Sequence, residues 1–164
     1  MESRLDQTDR RILQYLQHDA RLTTKEIADK LNKSVTTVHE RIRKLEASGV
    51  IRKYVALIDK QLIDKSLTAF TTVQLKQHAQ SALSGFEKEA VKFPEVMECY
   101  HLTGQFDFLL KIAIADISEY HLFLRNKLAT LPNIGAVQTY FVLSECKHET
   151  AYSLTATATA GKNK

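Results

Sequence analysis

Residues 34–44 read SVTTVHERIRK, the densest run of side chains able to do chemistry in the chain. Val35, Val38, Ile42 and Leu45 recur at steps of three, four and three, so on a helix they share one buried face. At about 100° per residue the opposite face carries Thr36, Thr37, Glu40, Arg43 and Lys44, with His39 and Arg41 at its margins and Ser34 as the N-cap. That face suits a polyanion. Small hydroxyls permit close approach to a groove, and arginine can pair with guanine or phosphate. The same pattern also fits a three-helix bundle whose charged helix merely faces solvent.

Other chemistries have weaker support. Cys99-x-His101 and Cys146-x-His148 each place soft ligands two apart, as a Cys2His2 site would. Both pairs lie in segments already explained by strand alternation, so no metal is expected. No glycine-rich dinucleotide motif, phosphate loop or nucleophile elbow occurs, and no acid pair or Ser/His/Asp group stands out. No cofactor and no catalysis are expected. A protein-docking helix would display large apolar anchors, which Thr36, Thr37, Glu40, Arg43 and Lys44 do not supply. That weighs against the competing reading, a regulatory or ligand-binding subunit of an amino-acid enzyme with no DNA contact.

Charge is unevenly distributed. Residues 1–60 hold 13 Lys and Arg against 9 Asp and Glu, whereas residues 61–150 hold 8 against 10. A basic first third attached to a neutral or acidic remainder is the footprint of a nucleic-acid-binding module beside a partner domain. Neither a membrane-spanning apolar run nor a signal peptide is expected, and two cysteines suit reduced thiols in a cytoplasm.

Two further helices must hold that face in place. Asp6, followed by Asp9, marks the start of a helix over 7–17 with Ile12, Leu13 and Leu16 inward. Thr23-x-x-Glu26 has capping-box spacing, and Ile27, Ala28 and Leu31 supply the buried face of a second, short helix. Asn32-Lys33-Ser34 turns the chain into the third helix, which Ser48-Gly49 stops near Ala47. Two short helices joined by a three-residue turn make a helix-turn-helix. Residues 51–58, rich in β-branched and aromatic types, read as a short strand that serves as wing or hinge.

The remainder alternates strand and helix. Ala69, Thr71, Val73 and Leu75 define a strand; a helix follows over 79–92, closed by Pro94; 96–102 form a second strand. Gly104-Gln105 makes a tight hairpin into Phe106, Phe108, Leu110, Ile112 and Ile114, then a helix spans 117–131 and a last strand 135–143. The predicted class is α+β: an amino-terminal (winged) helix-turn-helix and a carboxyl-terminal βαββαβ ferredoxin-like domain. Boundaries fall at 1–59, a linker over 60–66, the second domain over 67–146, and a tail over 147–164 whose Thr/Ala alternation briefly extends the last strand. With two helices on one sheet face, the other face, around Phe70, Phe108 and Phe141, calls for cover by a second subunit.

LDQTDRRILQYLQHDAR from Leu5, SVTTVHERIRKLEASGVI from Ser34, ECYHLTGQFDFLLK from Glu98 and LPNIGAVQTYFVL from Leu131 together resemble the leucine-responsive, or Lrp/AsnC, family of feast/famine regulators. The resemblance implies a cytoplasmic transcription regulator that binds double-stranded DNA and responds to an amino-acid effector. It further implies homodimers joined through the carboxyl-terminal sheets and assembled to octamers. Carried over by motif, the effector site comprises Thr103, Gly104, Gln105, Phe106 and Asp107, with Tyr100 and Leu102 before them and Tyr140 on the last strand. Asp107 suits an amino group and Gly104 close backbone approach. Gly104 is equally what a turn demands, Phe106 fits core alternation, and Asp107 can simply cap.

Overall fold

The computed structural model describes residues 5–154, which divide into two compact units. One takes in the residues through Leu57 together with the segment that begins at Lys147; the other is Ile58–Cys146.

The first unit is three helices, each started by a side-chain cap. In α1 (Gln7–His18) Asp6 and Asp9 form a reciprocal capping box, and in α2 (Thr24–Leu31) Thr23 and Glu26 form another. Asn32 closes α2 in the left-handed conformation, and Ser34 caps α3 (Val35–Ala47) through the Thr37 N–H. Ile12, Leu13, Ile27, Ala28, Leu31, Val38 and Leu45 are buried together, with Ile42 and Leu16 packed against them. Each fully buried aliphatic side chain contributes roughly 1.5–3 kcal/mol. Leu154 joins the same cluster, and Tyr152 pairs with the Gln17 side chain in both directions, N–H to Oε1 at 2.7 Å and carbonyl to Nε2 at 3.2 Å.

One expectation fails in the segment that follows α3. Residues 52–59 carry no strand, although Val55, Leu57 and Ile58 are the β-branched and apolar types that favour one; among the described residues no backbone pairs with them in a ladder. The last strand ends at Phe141, and the described residues after it, through Leu154, carry no further strand. The Thr/Ala alternation itself lies outside the described residues.

In the second unit a 3-10 turn (Lys60–Ile63) leads into β1 (Leu67–Leu75), followed by α4 (Gln80–Ala90), β2 (Val96–His101), β3 (Phe108–Ile114), α5 (Ile117–Asn126), a 3-10 turn (Leu128–Thr130) and β4 (Ile134–Phe141). The strands form one antiparallel sheet in the order β2-β3-β1-β4. Both βαβ crossovers are therefore split, each spanning one intervening strand. Ala69, Val73, Leu75, Phe108, Leu110, Ile112 and Ile114 face Phe86 and Ala90 of α4 and Tyr120 and Phe123 of α5.

Side-chain parity corrects the predicted open face. Phe108 is 1% exposed with its ring 4.6 Å from Phe86, and Phe141 meets Tyr120 edge-on at 5.1 Å, so both lie under the helices. Phe70, paired with Lys111 and Tyr140, has opposite parity and lies on the other side. That open side also carries an ion pair, Lys111 Nζ to Glu98 Oε1 at 2.9 Å, and the Tyr100 hydroxyl donates to Glu98 at 2.5 Å. It is more polar than three phenylalanines would have made it.

Among the described residues no helix is long and apolar enough to cross a membrane, and no group of three or more His, Cys, Asp or Glu is placed to hold a metal.

Candidate functional site

On α3 the buried stripe of Val38 and Leu45 fixes the helix rotation, leaving Thr36, Thr37, His39, Glu40, Arg43 and Lys44 exposed beside the Ser34 cap. The Ser34 and Thr37 hydroxyls lie 2.7 Å apart, which organises the first turn. The first turns of α1 and α2 contain Asp9 and Glu26, whereas α3 has no acid there. Its positive dipole end is left uncompensated by its own side chains. Among the described residues the side chains of Arg43 and Lys44 make no hydrogen bond or ion pair, while His39 faces Glu40 at 4.0 Å. A shallow depression lined by Asp9, Thr36, Thr37, Glu40, Arg41, Lys44, Leu45 and Ser48 joins this face to α1. Such a surface can accept phosphates and hydrogen-bond to base edges.

Arg41 is placed differently from its neighbours. Its Nη1 donates to Asp6 Oδ2 at 2.6 Å and to Asp9 Oδ1 at 2.8 Å, and its side chain is 31% exposed. Hydrogen bonds to Asp6 and then Asp9 raise the guanidinium pKa; the Asp9 backbone N–H, and after it Arg41, hold the Asp6 carboxyl below its usual range. The two carboxylates take up the base that the helical wheel set at the margin of the exposed face. The helix-start reading singled out Asp6 as the cap and Asp9 as an acid suited to the dipole; their pairing with Arg41, 35 and 32 positions later, had no local signal.

In the second unit residues 102–107 form a loop, so the connection from β2 to β3 is six residues long rather than a tight turn, and Phe106 precedes the strand it was expected to open. Thr103, Gly104 and Gln105 are exposed, with Gly104 at φ 120°, a conformation that favours glycine. Asp107 is nearly buried, 14% exposed. Its Oδ2 accepts the Leu75 N–H at 2.7 Å, its Oδ1 lies 3.2 Å from His78 Nε2, and its backbone N–H reaches Val73 O at 2.9 Å. His78 and Leu75 thus belong to this corner, and nothing in the local sequence pattern marked them. Tyr100 and Leu102 lead into the loop from β2, both exposed.

Tyr140 is not brought to that loop within one chain. It pairs with Phe70 on β1, and β4 lies at the edge opposite β2. Three strand spacings of roughly 4.8 Å put it about 14 Å from β2. The ferredoxin-like crossover inserts β1 between β3 and β4, so these two strands, consecutive in sequence, are not neighbours.

Comparison with known proteins adds the following. Residues 68–152 match the family described as Lrp/AsnC ligand binding domain, and residues 5–52 match one described as winged helix-turn-helix DNA-binding. The chain is 38% identical over 164 residues to the glutamate uptake regulatory protein of Zymomonas mobilis, covering all of this chain and 99% of that protein. It is 36% identical over 143 residues to the leucine-responsive regulatory protein of Escherichia coli K12, covering 87% of each. Among solved structures, a transcriptional regulator from Neisseria meningitidis in complex with L-Met superposes with a TM-score of 0.87 at 34% identity, over 93% of this chain and 98% of that one. Escherichia coli AsnC superposes with a TM-score of 0.84 at 26% identity, over 90% and 97%.

Proposed function

The chain belongs to the Lrp/AsnC family of transcriptional regulators, and from that premise we propose that it grips duplex DNA with the exposed face of α3 and answers to an amino acid bound by its carboxyl-terminal unit. The observation that carries the first half is the division of labour on α3: the Arg43 and Lys44 side chains are exposed and have no partner among the described residues, beside a first turn of hydroxyls with no acid. Ser34, Thr36 and Thr37 approach the groove, Glu40 accepts from a base amino group, Arg43 reads a base edge or phosphate, and Lys44 and His39 meet the backbone.

The second half rests on the loop of Thr103, Gly104, Gln105, Phe106 and Asp107, with Tyr100 and Leu102 at its base. Relatives named for leucine response and glutamate uptake, and one crystallised with L-Met, support an α-amino acid as the effector class. Its ammonium group would meet Asp107 at Oδ1, the oxygen facing His78. Tyr140 enters such a site only when another copy supplies it, which fits a site formed between subunits. A second copy packed on the open sheet face, covering Phe70, Leu109 and Tyr140, gives the dimer from which octamers assemble.

Enrichment of duplexes from a random-sequence library by the full-length chain, followed by calorimetric titration with each of the twenty amino acids, tests both halves. One enriched sequence class and one or a few binding amino acids are expected. Failure to retain any duplex at low salt would refute the DNA half, and twenty null titrations the effector half.

A further inference from the structure

The capping box of α1 and the middle of α3 form one closed set of hydrogen bonds. Asp6 Oδ1 accepts the Asp9 N–H at 2.8 Å, and Asp9 Oδ2 accepts the Asp6 N–H at 3.2 Å. The two remaining carboxylate oxygens, Asp6 Oδ2 and Asp9 Oδ1, both accept from Arg41 Nη1. Each of the four oxygens therefore has a donor, and the guanidinium lies between two carboxylates that would otherwise repel each other. Charge-assisted bonds at these lengths, on a half-buried arginine with two acceptors, restrain geometry more than an exposed single pair would. Asp9 and Arg41 line the same depression as Thr36, Thr37, Glu40 and Lys44. Any slip of α3 against α1 would carry those side chains with it.

We infer that Arg41 is a positioning residue for DNA recognition: it makes no DNA contact but fixes the rotation and axial position of α3 on α1 through Asp6 and Asp9. This rests on the proposed role of the α3 face. Base-edge hydrogen bonds are short and directional, whereas phosphate attraction tolerates displacement. Loosening the lock therefore degrades discrimination between sequences more than it degrades general affinity.

The test compares two duplexes, the one enriched by wild type from a random library and a random-sequence duplex, against wild type, Arg41→Ala and Asp9→Asn, each across a salt series. Arg41→Ala is expected to lower the ratio of specific to random affinity about tenfold, the effect of one lost base contact, with the salt slope unchanged. Asp9→Asn keeps a side-chain acceptor for the cap and is expected to lower the ratio in the same direction, so the test stands even if Arg41→Ala does not fold. A direct phosphate contact predicts otherwise: equal losses on both duplexes with a slope shallower by about one, and a gain of affinity in Asp9→Asn as Arg41 is released. A purely structural role predicts lower melting temperatures with both affinities intact. Either result overturns the inference. A wild-type chain that enriches no duplex would instead remove the DNA-binding reading, and this inference with it.

Discussion

The Leu75 N–H donates to Asp107 Oδ2 at 2.7 Å, tying the β2–β3 loop to the end of β1 where the β1–β4 ladder shifts register between Gln74 and Leu75. Leu75 is 2% exposed, so the carboxylate satisfies a donor that the irregular ladder leaves over. Asp107 is therefore a structural bracket as well as an effector candidate.

Asp107→Ala should lower the stability of the sheet domain by about 1–3 kcal/mol, the cost of a buried donor without an acceptor. Asp107→Asn, which retains a carbonyl oxygen, should lose less than half of that. Urea unfolding of the two variants beside wild type measures the difference; equal losses would mean that the bond to Leu75 contributes little.

Much of this was legible from local chemistry. Asp6, Thr23 and Ser34 announced the three helix starts because a cap needs only residues a few positions away. The alternation from Phe108 to Ile114 placed β3 for the same reason. What failed depended on distant partners. Phe106 continued the period-two run, yet Asp107 is drawn to β1 and the strand begins one residue later. Phe108 and Phe141 alternate like any strand residues, and period two cannot tell which side the helices will cover. Residues 51–58 have strand composition but pair with no strand among the described residues. The helical wheel gave the angular position of Arg41, but its direction was settled by carboxylates on another helix.

The carboxyl-terminal segment contributes to the helical unit. Gln17 closes a two-way amide pair with the Tyr152 backbone and Leu154 packs into the helical core. Gln17→Ala should cost the unit about 1 kcal/mol, and hydrogen exchange in α1 should quicken in the full-length variant. Unchanged protection of α1 would show that the segment rests on the helices without supporting them.

Acid should weaken the second unit through Glu119. The Ala115 N–H, at 2.6 Å, holds this carboxyl below its usual range, and Lys65 adds to the effect. A folded-state value below the unfolded one stabilises at neutral pH, and that stabilisation disappears as pH falls below roughly 4.3 towards the depressed value. Glu119→Gln should therefore be less stable than wild type at pH 7, with the gap closing in acid. A gap that stays constant from pH 7 to pH 3 would contradict the assignment.

The most direct test of DNA binding by the α3 face is the salt dependence of duplex affinity in Arg43→Ala and Lys44→Ala. Both side chains are exposed and, among the described residues, lack intramolecular partners, so their loss should leave the fold intact. Each variant should bind more weakly than wild type, and each lost phosphate contact should make the slope of log affinity against log salt shallower by about one. If Arg43 reads a base instead, its variant should lose about 1–3 kcal/mol on the enriched duplex alone. Wild-type affinity and slope in both variants would contradict the central claim.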